Sequence, residues 1–284
     1  MGFLEGRVTV ITGAARGLGR AHALLLASEG ARVVVNDRAD SARAAAEVVE
    51  EIEAAGGRAV ASTEDVSDWA GGARLVQAAV EAFGDLHVLV NNAGIIRDRS
   101  ICNMSEEEWD TVVDADLKGH FVPLRHAATY WRDRSKAGAQ VKACVINTAS
   151  TSGLMGNPGQ ANYGAAKAGI AALTAIAAEE LGRYGVRVNA IAPAARTRLT
   201  QSAPGLVDMV APPQDPERFD EWDPANASPL VGWLAGEGCP VTGCVFHCFG
   251  GTIAPMSGWT LRPGISRSER WTVADISREL PAVL

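Results

Sequence analysis

The chain has 284 residues, 47% of them hydrophobic, and its 26 basic and 33 acidic side chains leave a net charge of −7. That length can bury a large core, and an acidic balance without basic runs offers no general attraction to nucleic acid. The opening MGFLEGRVTVITG lacks the pattern of a secretory signal, and no apolar run approaches the roughly 20 residues a membrane-spanning helix needs, so a cytoplasmic protein without membrane insertion is expected.

Read from the N-terminus, Arg7–Ile11 is a short β-branched run that stops at Thr12-Gly13. Residues 18–29 carry a helical apolar pattern closed by Gly30, and Arg32–Asn36 reads as the next strand. This strand–turn–helix–strand opening predicts a right-handed βαβ unit. The alternation continues with a helix over Ala42–Ala54, a strand over Arg58–Ser62, a helix over Trp69–Phe83 and a strand over His87–Val90. Ser105 and Glu108 have the spacing of a capping box for a helix running to about Arg134, with a break near Pro123. A strand over Val141–Asn147, a helix over Ala161–Arg183 and a strand over Val186–Ile191 follow. Mostly apolar strands separated by helices predict a parallel sheet covered on both faces.

The stretch 198–223 mixes prolines, acidic and apolar residues and is expected to be a lid with one short helix at most. Pro224 opens a further helix, and Val241–Phe246 supplies a seventh strand. The tail 251–284 is too irregular for a domain of its own, with Trp259 and Trp271 as its expected packing anchors, so residues 1–284 are expected to form a single unit. The cysteines at 102, 144, 239, 244 and 248 are odd in number and irregularly spaced, which argues against a disulfide framework. Cys244, His247 and Cys248 fall within a strand-like segment, and no metal site is expected.

The turn Thr12-Gly13-Ala14-Ala15-Arg16-Gly17-Leu18-Gly19 sits between the first strand and the first helix. Bare glycines let a diphosphate approach the backbone, and the helix start offers free N–H groups to it. Dinucleotide binding is the expectation, with close helix packing as the bland alternative. Asp37 lies just past the second strand, 18 residues after Gly19, where a carboxylate accepts the adenosine ribose hydroxyls and repels a 2′-phosphate. NAD is therefore expected, although Arg38 leaves NADP as an alternative. Asp65-Val66 after the third strand and Asn91-Asn92-Ala93-Gly94 after the fourth share the same end of the sheet, as candidates for the adenine and the ribose.

Ser150 follows the fifth strand, and Tyr163 and Lys167 stand one helical turn apart on the next helix. A free tyrosine ionises near pH ~10 and is a sluggish base near neutrality; a neighbouring ammonium favours its phenolate. Tyr163 is thus the candidate proton acceptor from a secondary alcohol, Ser150 the holder of the substrate oxygen, and Lys167 both the cation and a ligand of the nicotinamide ribose. Small residues at 164, 165, 166 and 168 imply that something packs closely there, a second subunit being one candidate.

Together these residues resemble the short-chain dehydrogenase/reductase family over residues 5–250: the glycine turn Thr12–Gly19, Asn91–Gly94, and Ser150, Tyr163 and Lys167 at the family's spacing. The resemblance implies a Rossmann-type, doubly wound, seven-stranded parallel sheet with helices on both faces. It also implies a homo-oligomer, tetramer or dimer, built partly through the helices at about 105–134 and 161–183. Pro193 and Thr197 are assigned to the nicotinamide end of the coenzyme in the same way. One position departs from the pattern: the family commonly has an asparagine whose backbone holds a relay water, and the matching residue is Asp116. It is assigned an auxiliary catalytic role, either keeping that water or bracing Lys167, or else weakening the relay.

Three stretches, Val35-Asn36-Asp37, Thr148–Tyr163 and Ile191–Thr200, are similar to the (3R)-hydroxyacyl-CoA dehydrogenase branch found in peroxisomal multifunctional enzyme type 2 and its bacterial relatives. That similarity implies a bulky 3-hydroxyacyl-CoA substrate, steroid side-chain thioesters included, with Arg196 and Arg198 as candidate partners of the CoA phosphates. The alternatives are a dehydrogenase of free hydroxysteroids or other lipophilic alcohols, and a coenzyme-binding scaffold without turnover.

Overall fold

The structure, a computed structural model, describes residues 2–197, 210–215, 217–258 and 260–283. Seven parallel strands form the body of one sheet: β1 (Val8–Ile11), β2 (Arg32–Asn36), β3 (Arg58–Ser62), β4 (Val88–Asn91), β5 (Ala143–Thr148), β6 (Val186–Ala194) and β7 (Val245–Phe249). An eighth, β8 (Thr252–Met256), pairs antiparallel with β7, giving the order β3-β2-β1-β4-β5-β6-β7-β8. The expected seven-stranded sheet is therefore corrected to eight strands, and the first six residues of the supposed irregular tail belong to its edge hairpin. Gly250 and Gly251 make the two-residue turn, with Gly250 at φ +51°, a conformation that hairpin turns require and glycine tolerates. Pro255 inside β8 obscures the strand in the sequence; an outermost strand accommodates it because only one side needs a hydrogen-bonding ladder.

The residues of each strand alternate between two cores. Val33, Val35, Val88, Val90 and Ile146 pack under α1 (Gly17–Ser28), α2 (Ala42–Ala54) and the helix Ser228–Ala235. Val8, Val10, Val34, Leu89 and Val145 pack under α3 (Trp69–Phe83), α5 (Gly119–Lys136) and α7 (Ala161–Leu181). β1, β4 and β5 are buried along their whole length, as strands covered on both faces must be.

The expected long helix with a break near Pro123 is instead α4 (Glu106–Val112), a π-helical turn over Val113–Lys118, and α5, which runs through Pro123. Its Ser105–Glu108 capping box is present, each side chain bonding the other's backbone N–H at 3.1 and 2.9 Å. The irregularity falls one turn ahead of the proline, where the widened π turn re-spaces the carbonyl ladder that a proline cannot engage. Half of the expected lid, residues 198–209 and 216, lies outside the described residues. Its returning end docks on the close of β6, where the Arg196 N–H donates to the Trp222 carbonyl at 2.6 Å and the Arg196 guanidinium pairs with Asp220. In the tail, Thr272 caps the helix Val273–Glu279 and Arg267 lies over the Trp271 ring at 5.1 Å; Trp259 and Arg198 are outside the described residues.

Candidate active site

The strand order reverses at β1, which pairs with β2 on one side and β4 on the other; in open α/β sheets such a switch point opens a crevice at the carboxyl ends of the strands. Two turns meet there. The Thr12 Oγ1 accepts the N–H groups of Asn92 and Ala93 at 2.9 and 3.0 Å, and the Asn92 Nδ2 donates back to the carbonyls of Thr12 and Gly13 at 2.9 and 3.2 Å. A side chain on Gly13 would put its Cβ 2.8 Å from the Ala93 Cα, and one on Gly19 would lie 2.2 Å from the Gly13 carbonyl oxygen. Only bare backbone lets α1 sit this low on the turn.

The start of α1 is left open. Arg16 is its N-cap but makes no side-chain cap, and the first turn holds no acidic residue. A Cβ on Gly17 would meet nothing nearer than the Thr197 Cγ2 at 3.6 Å. An uncapped, acid-free helix start beside bare glycine fits a pyrophosphate, whose oxygens would take the free N–H groups of that first turn.

Asp37 stands just past β2, its Oδ2 accepting the Ala15 N–H at 3.1 Å and its Oδ1 the Arg38 N–H at 2.9 Å. The Arg38 guanidinium is turned onto Asp40 at 2.8 Å, and that of Arg16 onto the Ser41 hydroxyl at 3.2 Å. Asp65 has its Oδ1 committed to the backbone and hydroxyl of Ser67, while Val66 is buried where a Cβ on Gly119 would touch it at 3.0 Å. Gly94 lies against the Asp116 carboxylate, Leu18 is partly buried against the core, and Pro193 sits within β6 opposite Cys248.

The acid–base group is assembled from three elements. Ser150 caps α6 (Thr151–Met155), accepting the Ser152 N–H at 3.2 Å, which leaves its O–H free to donate. α6 presses on α7: a Cβ on Gly153 would come within 2.4 Å of the Ala168 nitrogen, and one on Gly164 within 3.1 Å of the Ser152 carbonyl oxygen. The small residues around Tyr163 thus make room for the serine's own helix. Lys167, 2% exposed, lies with its Nζ 5.3 Å from the centre of the Tyr163 ring. The ammonium donates to the Thr148 carbonyl at 2.9 Å and stands 3.2 Å from the Asp116 Oδ2. That second contact is a close ion pair whose alignment falls short of a hydrogen bond.

Burial works against the Lys167 charge, yet Asp116 and then Tyr163 hold the ammonium above the usual lysine range. Burial pushes the Asp116 carboxyl up, with Lys167 and the Ile95 N–H, 2.8 Å from Oδ1, opposing it. A phenol, a buried ammonium and a hydroxyl arranged in this way are equipped to pass a proton to or from an alcohol oxygen.

Two buried side chains escaped the sequence reading. Asn162, before Tyr163, ties the start of α7 to the carbonyls of Arg97 and Glu108 at 3.0 and 2.9 Å. His120 is fully buried, its Nδ1 2.7 Å from the Asp116 carbonyl oxygen and its Nε2 accepting the Thr148 N–H at 3.3 Å. Its four-residue offset from Asp116, one helical turn, was the available signal. Arg196, read as a CoA-phosphate candidate, instead spends its guanidinium on Asp220 and the Val210 carbonyl.

Residues 7–204 match the sequence profile of the short chain dehydrogenases. A hydroxyacyl-CoA dehydrogenase of Mycobacterium tuberculosis is 49% identical over 261 residues, covering 89% of this chain and 80% of that one. Peroxisomal multifunctional enzyme type 2 of Drosophila melanogaster is 40% identical over 273 residues, which are 92% of this chain and only 42% of that protein. The crystal structure of a short chain dehydrogenase from Mycobacterium avium superposes with a TM-score of 0.88 at 52% identity, over 98% of this chain and 94% of that one. With sequence, sheet order and coenzyme cradle in agreement, the chain belongs to the short-chain dehydrogenase family, as an oxidoreductase that works with a nicotinamide dinucleotide.

Proposed function

We propose that the protein oxidises a bulky 3-hydroxyacyl-CoA to the 3-ketoacyl-CoA, reversibly and with NAD. The observation that carries the reaction type is the buried Lys167 ammonium beside Tyr163 on α7, with Ser150 capping α6, the helix packed against α7. When bound, the nicotinamide supplies the acceptor for the substrate's hydride. Tyr163 takes the alcohol proton on its phenolic oxygen, Ser150 donates to the same substrate oxygen, and Lys167 favours the phenolate. Thr12, Gly13, Arg16, Gly17, Leu18 and Gly19 would hold the pyrophosphate. Asp65, Val66, Asn92, Ala93 and Gly94 would line the adenosine and ribose positions, with Pro193 and Thr197 at the nicotinamide end. Asp37 supports NAD over NADP, because its carboxylate stands just past β2 beside the glycine turn, and Arg38, the cation that would welcome a 2′-phosphate, is already on Asp40.

The acyl-CoA assignment is supported by the relatives named as hydroxyacyl-CoA and peroxisomal multifunctional enzymes. It is also supported by an open trough beside α6 and α7 that includes the exposed side chains of Ile101 and Met155. A free hydroxysteroid is the second reading, favoured by the same apolar trough. We place the protein in the cytoplasm, as a homo-oligomer joined through the apolar groove between α5 and α7, where Phe121 and Ile176 are 42% and 56% exposed. We read residues 1–284 as a single catalytic unit.

NADH formation, followed by absorbance, tests this reading with 3-hydroxyacyl-CoA thioesters, their free acids and hydroxysteroids, each with NAD and with NADP. The thioester with NAD is expected to lead in kcat/KM; a preference of about 100-fold for a free alcohol, or roughly 2.7 kcal/mol at the transition state, would reject the acyl-CoA assignment.

A further inference from the structure

Asp116 sits in a closed circuit of buried groups. Asp116 and His120 are 0% exposed, Lys167 2% and Thr148 7%. The ammonium meets the Asp116 carboxylate at 3.2 Å and the Thr148 carbonyl at 2.9 Å. The Thr148 N–H meets the His120 Nε2 at 3.3 Å, and the His120 Nδ1 meets the Asp116 carbonyl at 2.7 Å. The chemistry of the partners fixes every proton in this circuit. Nε2 faces an N–H and must accept, so Nδ1 carries the hydrogen and donates. Burial, and then the Lys167 charge, hold the imidazole well below the usual histidine range, so it stays neutral.

Two consequences follow. The main-chain carbonyl of Asp116 is already engaged by a protein donor. An ammonium has three hydrogens; the circuit takes one at Thr148 and directs a second toward Asp116, which leaves the third for the Tyr163 and coenzyme side.

We propose that Asp116 is a positioning residue for Lys167, its side-chain carboxylate keeping the buried ammonium charged and aimed, while His120 locks the Asp116 backbone in place. This rests on the reading of Tyr163 and Lys167 as the proton-handling pair. The titratable groups that act on the ammonium are Asp116 from the π-helical turn, His120 from α5 and Tyr163 from its own helix; β5 adds the neutral Thr148 carbonyl. Of these, Asp116 is the carboxylate, and it acts on the ammonium more strongly than Tyr163 does. Exchanging it for a neutral amide therefore removes the larger of the two groups that oppose burial, and Lys167 loses its proton at lower pH.

The chain has four lysines, at 118, 136, 142 and 167, and the other three are exposed. Protein labelled with carbon-13 at lysine Cε and free of coenzyme thus gives four resonances to titrate, with Lys167→Met assigning the buried one. Lys167 is expected to titrate above the ordinary lysine value of about 10.4, and Asp116→Asn to lower its midpoint by about one pH unit or more. A midpoint unmoved by Asp116→Asn overturns the proposal, since a merely structural role would leave it there. So does a wild-type Lys167 that titrates below the ordinary lysine value of about 10.4, a result that needs no variant to fold. The titration does not depend on turnover: a moved midpoint in a protein that oxidises no substrate would sink the proposed function and leave the positioning role standing.

Discussion

Replacing Lys167 with methionine keeps an unbranched apolar stem and removes the ammonium, so it isolates what the charge does for the fold. Asp116 is 0% exposed and would keep only the Ile95 N–H at 2.8 Å, with its other oxygen against Gly94. Removing one partner of a buried pair costs about 3–5 kcal/mol, whereas an exposed pair is worth about 0–1 kcal/mol. Urea unfolding of the coenzyme-free protein at pH 8 and fixed concentration should therefore show a loss in the upper range. The double variant Lys167→Met/Asp116→Asn removes the stranded charge as well and should regain at least ~2 kcal/mol of it. The sign with pH is also set. Burial raises the Asp116 carboxyl above its ordinary value, and without the ammonium that rise grows. A folded-state value above the unfolded one means a penalty that is present at high pH and fades as pH falls and the carboxyl protonates. The single variant should thus approach wild type as pH falls. A Lys167→Met protein within about 1 kcal/mol of wild type at pH 8, or a double variant no more stable than the single one, would refute this account.

Tyr163→Phe should keep NADH binding, read by fluorescence titration, while turnover falls about 10³-fold or more; unchanged turnover would remove the phenol from the proton route. Asp37→Asn retains an oxygen for the Ala15 N–H but drops the charge, and should raise kcat/KM with NADP relative to NAD by at least about 10-fold. An unaltered ratio would place the coenzyme choice elsewhere. His22 is buried, bonded through Nδ1 to Ser228 at 2.8 Å, and burial lowers its pKa from 6.5 to about 3. Between those values the unfolded chain binds a proton that the folded protein refuses, so stability present above pH 6.5 is lost as pH falls toward 3. From pH 7 to pH 5 the loss from this residue should be about 2 kcal/mol, and His22→Gln should lose correspondingly less in urea melts over that range.

Much of the crevice could be read locally. The glycine turn, Asp37 and the Tyr163–Lys167 offset each depend on a few consecutive residues, and the crossover rule sends their ends to one edge of the sheet. The misreadings share a cause. β8 holds a proline and follows two glycines, a combination that is sound only once β7 is known to leave an edge free. The break in the α4–α5 stretch was assigned to Pro123 because proline is the visible breaker, whereas the π turn at Val113–Lys118 follows from packing. Arg196 drew notice as a free cation, and its partner Asp220 lies 24 residues away across the lid segment.

The order of the seven parallel strands, the bare glycine turn and the candidacy of Tyr163 and Lys167 as a proton-handling pair could be read from sequence alone, because backbone propensity, periodicity and i to i+4 spacing act within a few residues. Tertiary structure alone decided which groups are desolvated together: the ion pair of Lys167 with Asp116, the neutral His120 beneath it, and the Gly153 contact that seats Ser150's helix on α7. Burial and charge pairing depend on segments distant along the chain. They fix the protonation states of the site only after the sheet has brought those segments to one edge.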